Sequence, residues 1–413
     1  MSVSGFWNPN DIQDAGWGLV LPADTGPELR DALRPLIDRR RAEAGERYRN
    51  LEYRPDESAA GFLARHGMGF GPANPDRVPY YILLVGGPDT VPQEFQSQLD
   101  IQYAVGRVAF DSPDGYRHYA ERVLRAEDAG SPVDRVDLVA PGSANDHPSQ
   151  LTIHWLMEPL ASALREKGMR VETSLGSNAT KARLKGLLTR VGAPGLLVFA
   201  GHGLGFPYGD PRQAADQGAL LCADWPGLVG WSGPVSREHY LSGDDLADTA
   251  CPGASIAVLY ASYSAASPKH DSFARQLFRE QIPIAPRPLV ARLAQHLLGS
   301  PGDGPLAVIG MADRVWGWAL NGVRSQGPTA LIRSLLLKLL EGQRIGAAME
   351  VIAERYAELA SALSTELEER EFGKESDNQW LVDIWTAAND ARAMILLGDP
   401  AVRLAPRATQ SGT

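Results

Sequence analysis

With 413 residues, 44% of them hydrophobic and 22% charged, the chain is long enough for two packed units of ordinary size around a real core. Its formal net charge of −10 speaks against nucleic acid as the main partner, because phosphate binding needs a basic face. No apolar run of about 18 residues is present, so no membrane span is expected. The start, Met1 to Trp7, lacks a basic stretch followed by an apolar one, which leaves no secretory signal and a cytoplasmic expectation.

The first half alternates apolar runs with helical patterns. Gly18–Pro22 (GLVLP) reads as a strand and Pro27–Ala44 as a helix. Tyr80–Val85 (YYILLV) is a stronger strand, closed by Gly86-Gly87-Pro88, and Tyr103–Phe110 (YAVGRVAF) is another. Tyr116–Glu127 looks helical until Ala129-Gly130-Ser131-Pro132 breaks it, which places a boundary near residue 130. The expected organisation is a subdomain over 1–130, a second over 131–406 and a disordered tail over 407–413.

The second half continues in the same style. Val133–Ala140 is a strand. Ser149–Lys167 is an amphipathic helix that stops at Gly168. Met169–Thr173 is a strand, and Asn178 is expected to cap the next helix. Three near-continuous apolar runs follow: GLLVFA (195–200), SIAVLY (255–260) and LAVI (306–309). Such runs, separated by helices, indicate strands buried on both faces of a parallel sheet, hence an α/β fold. A long helix over Gly346–Glu369 and a last strand over Arg392–Leu397 complete the pattern.

Active sites of open parallel sheets sit beyond the carboxyl ends of strands. GLLVFA is followed by Gly201-His202-Gly203, and SIAVLY by Ala261-Ser262-Tyr263-Ser264. Two buried strands thus deliver a histidine and a small hydroxyl side chain to one edge. The glycines beside His202 let a substrate backbone come close and free the Gly203 amide to face an oxyanion. Cys222, in a stretch that reads as a strand, and Cys251, at the far end of the run preceding Ser262, are packing residues by position. Two cysteines make neither a disulfide framework nor a zinc site. His154, His239 and His270 read as surface or capping residues.

Strand–Gly-His-Gly followed by a strand ending in Ala-Ser262 resembles the clan of caspases, gingipains and CHAT-domain peptidases, except that the clan has cysteine at that second position. The Ala104-Val105-Gly106-Arg107-Val108 run, the stretch Leu306–Trp318 and the turn Leu397-Gly398-Asp399-Pro400 are similar to gingipain-like chains in the same order. The resemblance implies a caspase-like (caspase-hemoglobinase) three-layer α/β/α fold with mostly parallel sheets in two adjacent subdomains. It implies a cysteine peptidase in which His202 is the base and position 262 the nucleophile, with the amides of Gly203 and Ser262 as oxyanion donors. Trp316, Tyr263 and His154 are placed at the substrate pocket. This chemistry requires no metal or organic cofactor, and no calcium loop is evident.

The serine leaves three readings open. A natural cysteine at 262 has been replaced, the chain is a natural pseudo-peptidase that binds a peptide or protein without cutting it, or it is a serine hydrolase. The first accounts for every other part of the motif. A serine needs a histidine oriented by a carboxylate, and the sequence assigns none. No acid is found at the helix head Gln150–His154, which argues against arginine specificity and for an uncharged or small residue at the cleavage position. Asp146, Asp210, Asp244 and Asp245 fall in loops that would rim the cleft. By analogy with bacterial relatives, the partner is a protein or peptide substrate such as a pore-forming effector, cut in antiphage defence after an activating partner or trigger engages.

Overall fold

The computed structural model describes residues 7–143, 146–192, 195–227, 233–247, 249–277, 279–316, 328–373 and 377–405. Its strands are β1 Trp17–Pro22, β2 Tyr48–Tyr53, β3 Tyr81–Val85, β4 Ala104–Val108, β5 Arg135–Pro141, β6 Arg170–Gly176 and β7 Gly195–Ala200. They continue with β8 Leu220–Leu221, β9 Tyr240–Leu241, β10 Ala254–Tyr260, β11 Ala266–Ser267, β12 Leu289–Val290, β13 Ala307–Met311 and β14 Met394–Gly398. Ten of them form one sheet in the order β2-β1-β3-β4-β14-β13-β10-β7-β5-β6. Pairings within β2 to β4 and within β13 to β6 are parallel. β14 runs antiparallel to β13 and meets β4 through the single pair Leu397–Arg107. Helices cover both faces.

Burial explains which strands the sequence announces. Every residue of β1, β3, β4, β5, β7, β13 and β14 is buried, so each is mostly apolar, and the charged exceptions are partnered: Arg107 in β4 by Gln96 and the Gly86 carbonyl, and Arg135 in β5 by Asp137. The edge strand β2 (YRNLEY) buries only Leu51 and Tyr53, and its mixed sequence gives no strand run. The helix Pro27–Ala44 stands where it was expected. The helix expected over Ser149–Lys167 starts earlier and is interrupted: His147–Thr152, a π-helical stretch Ile153–Met157, then Glu158–Glu166.

Several expectations are corrected. The cap of the helix Lys181–Leu188 is Thr180, not Asn178; the Thr180 hydroxyl accepts from the Arg183 amide at 3.2 Å. Arg392 belongs to the helix Asn378–Ala393, and β14 begins at Met394. The strand read around Cys222 shrinks to Leu220–Leu221. The long helix is broken at Met349 into Ile345–Ala348 and Glu350–Glu371. Trp318 and the tail 407–413 lie outside the described residues. Among the described residues no helix is long and apolar enough to cross a membrane.

The two halves of the sheet are joined by the motifs the sequence singled out. A Cβ on Gly106 would lie 2.1 Å from the Gly398 carbonyl oxygen, so only glycine lets β4 approach this turn. Asp399 in the same turn accepts from Trp17 Nε1 at 2.9 Å and Arg40 Nε at 2.7 Å. Arg40 is fully buried and also reaches Glu127 at 2.6 Å. Arg107 donates to Gln96 Oε1 at 2.9 Å and the Gly86 carbonyl at 2.8 Å, holding the turn after β3. Burial lowers its pKa to about 10, which leaves it charged at neutral pH.

Candidate active site

The parallel register of β7 and β10 sets Ala200 opposite Tyr260. His202 and Ser262 therefore emerge side by side, each two residues past a paired strand end. The Gly201 amide donates to the Tyr260 carbonyl at 3.2 Å, extending the ladder towards them. A Cβ on Gly203 would fall 1.9 Å from the Ser262 carbonyl oxygen. The two loops pack at backbone contact, which any side chain at 203 would prevent.

His202 Nε2 lies 2.9 Å from Asp146 Oδ2. Asp146 caps the helix His147–Thr152, accepting from the Ser149 amide and from Ser149 Oγ. Burial works to raise the Asp146 pKa, but the bonds from His202 and Ser149 outweigh it and hold the carboxyl below its ordinary value. An ionised carboxylate only accepts, so Nε2 is the protonated nitrogen, and in the neutral ring Nδ1 is left to take a proton. This corrects two expectations at once. A carboxylate does orient the histidine, and an acid does stand at the head of that helix. The helix begins at His147, with its cap at 146, and a start read at Ser149 leaves Asp146 in a loop. The signal was present as an aspartate followed by Pro148 and Ser149.

Ser262 is partly buried, and its Oγ accepts from the Val315 amide at 3.0 Å. Tyr263, the next residue, holds φ +59, a left-handed conformation uncommon for a bulky side chain. It is held there from both sides. Its amide donates to the Asp313 carbonyl at 3.0 Å, and the fully buried Ser264 hydroxyl donates to the Leu259 carbonyl at 2.7 Å. Ser264 Oγ also accepts from the Met311 amide at 3.0 Å, tying the loop to β13. Nothing in the sequence marks Ser264 for this role beyond its place after the strand. Among the described residues neither the Gly203 nor the Ser262 amide has a hydrogen-bond acceptor.

The residues expected at the pocket are placed differently from one another. Trp316 follows Val315 directly and is partly exposed. Its amide donates to Asp390 Oδ1 at 3.3 Å, its ring lies 4.9 Å from that of Phe273, and Arg314 sits over it at 5.3 Å. Burial pushes the Asp390 carboxyl well above its ordinary value. Tyr263 is buried, with its ring against Gly205 and its hydroxyl 3.4 Å from Arg314 Nε, so its side chain packs the loop. His154 sits on the π-helical stretch, two-thirds exposed, beside Trp155 and 3.3 Å from Glu158. His239, read as a surface or capping residue, is buried instead.

Cys222 and Cys251 are both buried, and burial pushes their thiols up to about 12 and about 11, far from a reactive thiolate. Asp210, Asp244 and Asp245 are engaged by Arg212, Arg237 and Lys181. No group of three metal-ligating side chains gathers among the described residues.

No family model matches the chain, and no curated protein does. Solved structures do match its fold. The Arg-specific cysteine proteinase gingipain R superimposes with a TM-score of 0.55 at 12% identity, over 96% of this chain and 80% of that one. The complex of RgpB pro- and mature domains from Porphyromonas gingivalis gives 0.52 at 13% identity, over 94% and 79%. A further structure, described as a protease, gives 0.50 at 14% identity, over 94% and 78%. The fold is therefore the caspase-like three-layer α/β/α type, with a mostly parallel central sheet.

Proposed function

We propose that the chain is a peptidase of caspase-like type, with residue 262 in the nucleophile position, His202 as base and acid, and Asp146 orienting His202. The observation that carries this reading is the Asp146–His202 pair, set beside Ser262 at the ends of two adjacent parallel strands. In the reaction the group at 262 loses its proton to His202 Nδ1 and adds to the substrate carbonyl. The oxyanion so formed takes hydrogen bonds from the amides of Gly203 and residue 262. Collapse expels the amine, which leaves with the proton from His202, and water then repeats the sequence on the acyl-enzyme.

A thiolate forms near neutral pH beside a histidine, whereas a serine hydroxyl does not. We read Ser262 as occupying a cysteine's place, in a form that holds substrate without efficient turnover. Residues 1–130 buttress the half from 131 onward, which carries the site. By analogy with bacterial effectors of this fold, the substrate is a partner protein activated by limited cleavage. The Asp146 contact also favours a second reading, a serine hydrolase with an Asp-His-Ser arrangement.

The experiment compares the Ser262 protein, Ser262→Cys and Ser262→Cys/His202→Ala on a diverse peptide library. Cleavage by the Cys form alone supports the first reading. Equal cleavage by the Ser262 protein, with fluorophosphonate labelling at Ser262, supports the second. Binding of peptide without cleavage by any form points to a pseudo-peptidase.

A further inference from the structure

A second concavity lies on the same edge of the sheet as His202 and Ser262. Met394, which opens β14, pairs with Met311 at the carboxyl end of β13. Beside β14 on that edge β4 and β3 begin, preceded by Tyr103 and Tyr80. These strand starts, residues 70–73 and the helix Glu350–Glu371 enclose a cavity of about 590 Å³, a size typical of small-molecule sites. It shares a support with the candidate site. Ala391 and Arg392 line it, and Asp390 on the same helix accepts the Trp316 amide.

Its walls are aromatic and acidic. Trp7, Phe70, Tyr80, Tyr103 and Tyr356 all line it, with the rings of Trp7 and Tyr80 4.7 Å apart. Phe70 is large and apolar, yet 57% exposed. Three carboxyls, on Asp100, Glu350 and Glu354, stand against one base, Arg392, which already donates to Asn389 Oδ1 at 2.9 Å. Glu350 accepts the Tyr80 hydroxyl, and Asp100 accepts the Val105 amide at 3.2 Å, so neither of these partners brings a positive charge. Burial pushes the Asp100 carboxyl well above its ordinary value despite the Val105 amide and Arg107, a cost that a cation beside it would relieve. The Tyr103 hydroxyl is buried without a hydrogen bond of proper geometry, with only the neighbouring Gln102 side chain close. A buried polar atom of this kind calls for a partner.

These features select the ligand. The excess of carboxyls disfavours an anion. No group of three metal-ligating side chains gathers among the described residues, so the carboxyls are too dispersed for a metal ion. A purely apolar molecule would cover the carboxyls and the Tyr103 hydroxyl without pairing them. An ammonium on an apolar body meets every demand: ring faces and carboxylates attract the charge, and the hydroxyl accepts an N–H. We propose that this cavity is a binding site for a small organic cation of that class, separate from the nucleophile position.

The test is binding to the full chain, followed by ligand-observed NMR, so it does not depend on the proposed chemistry. The probe is tryptamine. Tryptophol and indole-propionate keep its body and replace the ammonium by a hydroxyl and a carboxylate. Tryptamine is expected to bind saturably, tryptophol about tenfold more weakly, and indole-propionate not at all. Glu350→Gln/Glu354→Gln keeps an acceptor for Tyr80, and it should weaken tryptamine about tenfold while leaving tryptophol unchanged. Tyr103→Phe should also weaken tryptamine, with a thermal midpoint no lower than the parent's, because it removes a hydroxyl that the fold leaves without a proper bond. Absence of saturable tryptamine binding overturns the proposal. So does tryptophol or indole-propionate binding as tightly as tryptamine, or undiminished tryptamine affinity in Glu350→Gln/Glu354→Gln.

Discussion

A serine hydroxyl and a thiol make different demands on the same histidine. Asp146 fixes which nitrogen of His202 is protonated, and that matters in both cases, because the wrong tautomer offers the nucleophile an N–H instead of a lone pair. In a Ser262→Cys chain, Asp146→Asn should lower kcat by about 10²–10⁴-fold with little change in KM, since the amide can donate to Nε2 and stabilise the wrong tautomer. Steady-state kinetics on one cleaved peptide checks this, and an unchanged kcat would remove Asp146 from the mechanism. Gly203→Ala is expected to do damage of another kind. Its methyl would have to displace the Ser262 backbone, so both activity and thermal stability should fall together. The candidate histidine and nucleophile position were legible because strand ends and a Gly-His-Gly setting are local features. Asp146 was not, because its role depends on a helix start two residues earlier than the apolar pattern suggests, and on the folding together of positions far apart in sequence.

The elements that sequence reading finds are those buried on both faces. β3, β7 and β13 each need apolar side chains on both sides, and a continuous run is the direct consequence. Edge strands have one neighbour and tolerate charge, so β6 carries Arg170 and Glu172 without losing its place beside β5. Nor does apolar periodicity report the π-helical stretch Ile153–Met157, since the buried positions Thr152, Leu156, Leu160 and Leu164 keep a four-residue spacing straight through it. Glu172 accepts from Arg190 at 2.9 Å and from Arg170 at 2.9 Å, and the Arg190 bond first of all brings its pKa to about 2 from an ordinary 4.5. A carboxyl depressed in the folded state contributes stability that is complete above its unfolded pKa. That contribution is lost as pH falls from about 4.5 towards 2. With its side chain a quarter exposed, solvent screening reduces the effect to about 1 kcal/mol. Glu172→Gln should therefore melt lower than the parent at pH 6, and the gap should close only near pH 2. A gap of equal size at both values would assign the loss to packing instead.

At the scale of the whole molecule, the site depends on a junction it never touches. His202, Ser262 and the Trp316 loop stand on β7, β10 and β13, and β13 is bordered by β14, the strand that meets the first four through one backbone pair. A single pair is a weak seam, so side chains must hold the halves together. Asp399 does this from the turn ending β14: it binds Trp17 Nε1 at the start of β1 and Arg40 on the helix that follows β1. Its own side chain is fully buried, and so is that of Arg40. Removing one member of a buried pair costs up to about 3–5 kcal/mol, and since Arg40 would keep Glu127 and Glu43 as partners, this is the upper bound for losing Asp399. Asp399→Ala is accordingly expected to lower the thermal midpoint more than any single change among the exposed Arg–Asp pairs, such as Arg287 with Asp89. Asp399→Asn keeps an oxygen for Trp17 and the Ala401 amide but loses the charge facing Arg40, so its loss should be intermediate. Thermal unfolding of the three chains followed by tryptophan fluorescence orders them, because Trp17 sits on the seam itself. A midpoint for Asp399→Ala equal to that of Arg287→Ala would mean that the interdigitated backbones of Gly106 and Gly398, and not this buried pair, hold the two halves of the sheet in line.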